Sequence, residues 1–215
     1  MLGLERSFMS IEDKNIPKQE KGNQADTLHK VTLGSKEEAV QLFETAKNRL
    51  LHVSRWGEVA KGASSGFQLT NSHGLEVNRA AQEGDHFKIH IPAPGPDSGN
   101  GNDWVRIEAI QDESDAKADV QVVSIRVRPS SNPQKPGANT SHFFGEDATS
   151  TVVVKRKGTT VIAEVHGRNE APNLHADGIW DTVRHAVVAV GAILGFSNQQ
   201  WKNLTEGLTA PKKEA

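Results

Sequence analysis

The chain has no cysteine, so no disulfide supports it, and the expected location is a reducing cytoplasm. It also lacks any apolar run near the roughly 18 to 20 residues that a membrane span requires. Even Val183–Leu194 is interrupted by Arg184, His185 and Gly191. The opening MLGLERSFMS has no apolar h-region of the kind a signal peptide carries. Charge of one sign is missing too, with 25 Lys and Arg against 27 Asp and Glu. Without a basic stripe to neutralise phosphates, nucleic acid is excluded as the expected partner. His86 and His90 are four residues apart, but on a strand rising about 3.3 Å per residue they lie about 13 Å apart and cannot share an ion. The Gly-x-Gly inside Gly95–Asp103 (GPDSGNGND) fits neither dinucleotide nor phosphate-loop spacing. No metal and no cofactor is therefore expected, and no catalytic motif stands out.

What is present reads as one domain with tails. Ser10–Asp26 is polar and poor in large apolar groups, so residues 1–25 are expected to form a flexible N-terminal arm, with Leu4, Phe8 and Met9 before that stretch as docking candidates. A single domain is expected over 26–208, and PKKEA within 209–215 predicts a disordered tail. The domain opens with a strand candidate at Thr27–Leu33. Ser35 stands three residues before Glu38, a capping-box spacing, and Ala39, Leu42, Phe43, Ala46, Leu50 and Val53 then form one helical face. A short second helix is expected around Trp56–Lys61.

From Gly66 the period changes to two, the signature of strands. Phe67 and Leu69 predict one short strand, with Leu75 and Val77 as its hairpin mate. Further strands are expected at Asp85–Ile91, Asp103–Ile110, Val120–Arg128, Val152–Arg156 and Thr160–His166. Apolar faces are expected at Phe87, Ile89 and Ile91; at Val105, Ile107 and Ala109; at Val123, Ile125 and Val127; and at Val161, Ala163 and Val165. The alternate residues are polar or charged, as half-buried antiparallel strands require. Trp180, Val183, Val187, Val190 and Leu194 form an amphipathic stripe that predicts a closing helix able to seal the dry face. Ser197 and Gln200 have capping-box spacing, so a second short helix is expected through Trp201, Leu204 and Leu208.

Strand, two helices, a run of antiparallel strands and a long C-terminal helix, with the tryptophan of RWGEVA after the first helix, resembles the START-related helix-grip superfamily. That group includes polyketide cyclase/dehydratase-like and birch-pollen-allergen-like proteins. The resemblance implies an α+β fold in which a curved antiparallel sheet of about six to seven strands wraps around the long C-terminal helix. It also implies an apolar pocket between sheet and helix for a lipid-like or other apolar small molecule.

Three functional readings follow. In the first, the ligand is lined by Trp56, Phe67, Phe87, Ile89, Val105, Ile107, Val123, Ile125, Val161, Ala163 and Val165 from below. Trp180, Val183, Val187, Val190 and Leu194 line it from above. His142, Phe143 and Phe144, near the end of the long Pro129–Ser150 connection, either cap the mouth or pin the loop to the sheet. The second reading is a cyclase- or dehydratase-type enzyme. Glu164, His166 and Arg168 alternate on one strand face and supply acid/base chemistry only if that face lines the pocket; otherwise they pair across strands with Arg106, Glu108 and Arg126. The third is an interaction module in which Phe143, Phe144, Trp201 and Leu208 form a surface for a partner or a second copy in a homodimer.

Overall fold

The computed structural model describes residues 14–61, 66–90, 102–135, 137, 140, 144–171 and 198–211. The expected closing helix through Trp180, Val183, Val187, Val190 and Leu194, and His142 and Phe143 of the expected lid, lie outside them. The first strand, β1 (Asn23–Thr32), begins at Asn23 rather than Thr27. Ser35 then accepts a hydrogen bond from the Glu38 amide, while the Glu38 carboxylate accepts from the amides of Gly34 and Ser35. This capping box satisfies N–H groups that have no partner within α1 (Lys36–Leu51). The stripe Ala39, Leu42, Phe43, Ala46 and Leu50 is buried. A 3-10 turn at Val53–Arg55 leads into α2 (Trp56–Val59), where the fully buried Trp56 donates its indole N–H to the Leu50 carbonyl at 3.0 Å.

Six more strands follow: β2 (Gly66–Thr70), β3 (His86–His90), β4 (Asp103–Glu113), β5 (Val120–Pro129), β6 (Thr149–Lys157) and β7 (Thr160–Glu170). They form one curved antiparallel sheet in the order β1-β7-β6-β5-β4-β3-β2, so the two helices connect its opposite edges. The C-terminal helix α3 (Asn198–Leu208) packs on β1 and β7 and against α1 and α2. This is the helix-grip arrangement that the element order predicted. No helix among the described residues is long and apolar enough to cross a membrane.

The core lies between the helices and one face of the sheet, here the inner face. Its strand residues include Phe67, Leu69, Phe87, Ile89, Val105, Ile107, Val123, Ile125, Val152, Val154, Val161, Ala163 and Val165. Each large apolar side chain buried there contributes about 1.5 to 3 kcal/mol. α3 presents Trp201, Leu204 and Leu208, at helical spacing, to the same core. Its C-terminus is held from α1, because Arg49 Nη1 donates to the carbonyls of Gly207 and Leu208 at 3.0 Å each and of Ala210 at 2.5 Å. Those carbonyls have no partners within the helix and sit at the negative end of its dipole, so a guanidinium fits there twice over. Gly207 allows the close approach of α3 to α2, since a Cβ would come within 2.0 Å of the Val59 carbonyl oxygen.

Several expectations are corrected. Leu75 and Val77 do not form the partner strand of β2; β3 does, and the turn at Asn71–Gly74 yields a single bridge from Thr70 to Glu76. The chain is drawn away toward α1 by the Ala81 amide bonding to Leu51 and by the Arg79–Asp85 ion pair at 2.6 Å. In β4 a bulge at Glu108 shifts the register, so Ile110 rather than Ala109 joins the core. Residues 14–22 are not a free arm. The buried Asn15 donates to Ser124 Oγ at 2.6 Å on the outer face, and its carbonyl accepts from Thr151 at 3.2 Å. Lys18 to Lys21 are tied to Asn169. On the outer face Val153, Lys155 and His86 are buried as well, so that face is not uniformly solvated.

Candidate functional site

The inner face divides in two. Beside β2 and β3 it is filled by Trp56, Phe67 and Phe87, whose ring centroids lie 5.9, 5.9 and 6.2 Å apart. Tilted and edge-on pairs of this kind add roughly 0.5 to 1.5 kcal/mol each beyond burial. Toward β6, β7 and β1 the inward positions between the strand ends carry mostly short side chains, Val152, Val154, Val161, Ala163, Val165, Gly167 and Ala25, with Thr27 and His29 beside them on β1, where His29 Nδ1 lies 2.7 Å from Thr209 Oγ1. Every described member of the predicted lining set, from Trp56 to Val165, is buried in this one core.

Buried charged side chains lie at the two opposite ends of the inner face. At the β6–β7 hairpin end, Arg156 is fully buried, and each of its three nitrogens donates: Nε to Gln121 Oε1 at 2.5 Å, Nη1 to the Gly158 carbonyl at 2.8 Å and Nη2 to the Ala118 carbonyl at 2.6 Å. At the far end stands Glu170, the last residue of β7. Its inward orientation comes from a bulge: between the pairs Ala25–Gly167 and Asn23–Glu170, β7 uses one residue more than β1. Asn169 absorbs it in the left-handed region with φ of 58°. Glu170 then shares a face with its partner Asn23 and hence with Ala25, which packs on the core.

Glu170 is 3% exposed, and its Oε1 receives no hydrogen bond. Burial pushes its carboxyl up to about 7, with Arg168 pulling it down and Asp26 pushing it further up. Asp103 opens β4 at the same end, on the face of Val105 and Ile107; it is buried, and burial pushes it up to about 8.

The proposed acid/base set is placed elsewhere. His166, Glu164 and Arg168 project from β7 opposite to Val161, Ala163 and Val165, on the outer face. There they form a chain with β1 and β6: Arg168 to Asp26 at 2.8 Å, Asp26 to His166 at 2.6 Å, His166 to Glu164 at 3.2 Å and Glu164 to Lys155 at 2.7 Å. Burial raises the Glu164 carboxyl, but hydrogen bonds from His166 and Lys155 and their charges outweigh it and hold it below its usual range. Cross-strand pairing accounts for these residues, but with Asp26 and Lys155 on the neighbouring strands β1 and β6 rather than with Arg106, Glu108 and Arg126, and they do not reach the inner face. Phe144, Trp201 and Leu208, read as a partner surface, are core residues, and the Gly145 amide following Phe144 bonds to the Ala171 carbonyl at 3.0 Å.

Open grooves mark the exterior among the described residues. One, of about 900 Å³, runs along the solvent side of α1 and α2 past Glu44, Asn48 and Arg55. The other, of about 420 Å³, is lined by Arg106, Glu108, Arg128 and Glu146 above β4 and β5. In the second, Glu108 already pairs with both Arg126 and Arg128.

No family model matches the chain, and no curated protein matches it in sequence. Solved structures with a similar arrangement include a hypothetical protein from Helicobacter pylori, with TM-score 0.48 and 14% identity, covering 92% of each chain. A major latex-like protein from Panax ginseng aligns at TM-score 0.38 and 13% identity, over 88% of this chain and 97% of its own. The ZhuI aromatase/cyclase from a Streptomyces species aligns at TM-score 0.40 and 9% identity, over 87% and 92%. The last two are helix-grip proteins of the START-related superfamily.

Glu170 was not singled out from the sequence, because the bulge at Asn169 inverts the alternation on which inward and outward residues were assigned. The usable signal is local: Asn is among the few residues that tolerate the left-handed region, and it stands here just before the strand gives way to Pro172. Asp103 was legible, since it has the parity of Val105 and Ile107.

Proposed function

We propose that the protein binds an apolar small molecule between the short-side-chain half of the inner face and the C-terminal helical segment. The observation that carries this reading is the division of the inner face. One half is filled by Trp56, Phe67 and Phe87, while the other presents Val, Ala and Gly from three neighbouring strands. Such a surface offers contact area while its own side chains fill little of the space that it shares with α1 and α3. A dry cavity of about 300 Å³, at the low end for ligand sites, costs roughly 7 kcal/mol if left empty. That is comparable with a domain's net stability of about 5 to 15 kcal/mol, so a space of this kind is expected to be occupied.

The test is mass spectrometry of the purified protein under native conditions, followed by solvent extraction. The expected result is one apolar compound per chain, displaced by N-phenyl-1-naphthylamine with a rise in its fluorescence. Filling the surface with Ala163→Phe is expected to abolish uptake while the protein stays folded. A protein that retains nothing and takes up no fluorophore refutes the reading.

A further inference from the structure

Resting on that reading, we propose that Glu170 is the polar anchor of the inner-face site and selects an apolar molecule that carries a basic amine. The side chain is placed with unusual local effort. Asn169 is held in a left-handed conformation that costs a non-glycine residue energy and persists only where the surroundings impose it. The imposing contacts come from the N-terminal segment. Asn169 Oδ1 accepts from the amides of Glu20 and Lys21 at 2.7 and 3.2 Å, its Nδ2 donates to the Lys18 carbonyl at 3.1 Å, and its amide donates to Gln19 Oε1 at 2.9 Å. Gly22, at φ of 65°, lies so close that a Cβ would come within 2.6 Å of the Glu170 carbonyl carbon. Four hydrogen bonds and a required glycine thus fix a bulge whose result is one carboxyl turned toward the core.

That carboxyl is left without a partner at Oε1 although it is buried. Arg168 is committed to Asp26 and to the carbonyls of Ala25 and Gly167, so it does not serve Glu170. Among the described strand residues that face inward at this end, the only other ionisable group is Asp103, also an acid. A buried unpaired acid is costly, and in an apolar setting its best complement is a cation that donates a hydrogen bond. An ammonium group on an apolar body meets both the charge and the vacant acceptor. A hydroxyl meets only the acceptor, and a carboxylate is repelled.

The experiment is calorimetric titration of the full chain, stripped of retained compounds, with octylamine, 1-octanol and octanoate at pH 8. It is repeated at about 0.5 M NaCl to screen surface attraction. Octylamine is expected to bind about tenfold more tightly than 1-octanol, with octanoate weakest, in both salt conditions. Glu170→Gln is expected to erase the preference for octylamine while leaving 1-octanol binding in place. The comparison within the unmutated protein needs no variant, so a misfolded Glu170→Gln protein would not protect the proposal. Equal binding of amine and alcohol, or an amine preference that survives Glu170→Gln, overturns the amine anchor and leaves the apolar site standing. If none of the three binds, both fall together.

Discussion

Arg156 and Glu170 lie on the same face of the same sheet, both are buried, and they differ in one respect: every nitrogen of Arg156 donates a hydrogen bond, whereas Glu170 Oε1 accepts none. At the hairpin end the backbone carbonyls of Ala118 and Gly158 and the Gln121 amide are spent on one guanidinium, which closes the bottom of the core. At the other end a strained residue and a clamped segment deliver a carboxyl whose Oε1 has no hydrogen-bond partner among the described residues. A buried charge whose partners come from the fold itself serves the fold. A buried charge without them leaves a vacancy for something else to fill.

The contrast can be tested from both ends. Arg156→Ala is expected to cost about 3 to 5 kcal/mol, because it leaves the buried Gln121 side chain without that donor, frees the carbonyls of Ala118 and Gly158 and opens a cavity. Urea unfolding with an unchanged m-value would check it, and a loss under about 1 kcal/mol would break the comparison at this end. Asn169→Ala removes three side-chain hydrogen bonds of the clamp and keeps the left-handed strain, for an expected loss of roughly 1 to 3 kcal/mol. Hydrogen exchange at residues 18–22 should rise with it, whereas exchange at the β6–β7 hairpin should not.

Glu170→Gln is expected to have the opposite sign and a smaller size. The folded-state value of about 7 lies above the ordinary 4.5, so the folded protein holds the proton more tightly, and its stability falls as pH rises between those values. At pH 8 the variant should therefore be more stable than the unmutated protein by roughly 1 to 2 kcal/mol, with the gain vanishing near pH 4. The quantity to plot is the difference in unfolding free energy between the two proteins at each pH. His86, pushed down to about 4 by burial and by Arg106, and Asp103, pushed up to about 8, titrate in the same range but largely cancel in that difference. A flat difference between pH 4 and 8 would mean that Glu170 is not buried as described.

Much of the fold was legible because its signals are local and repeated. The Ser35–Glu38 capping box, the stripe on α1 and the alternation in β3, β5 and β7 each use a period that neighbouring residues impose on one another. What was missed are the places where the period is interrupted. The bulge at Glu108 exchanges Ala109 for Ile110, and the bulge at Asn169 turns Glu170 inward; each depends on how a distant strand sets the register. The partner of β2 was misassigned because Leu75 and Val77 alternate well enough, while the Ala81–Leu51 hydrogen bond that diverts the chain has no local mark. The role of residues 14–22 was hidden for a related reason. A polar stretch reads as disordered, yet its amides and carbonyls are what Asn169 and Ser124 require.

The pairing of β1 with β7 also sets a schedule. The first strand to be made is an edge strand whose neighbour is the last, with Thr32 and Thr160 separated by 128 positions where their hydroxyls meet. At synthesis rates of about 5 to 20 residues per second, β1 waits on the order of ten seconds before its partner exists. Contacts that close such long loops also make folding slow. During that wait β1 is an unpaired strand, and its outward positions Asp26, Leu28 and Lys30 include two charges beside the exposed Leu28. Those charges discourage the nascent strand from pairing with a neighbouring chain before its own has been completed.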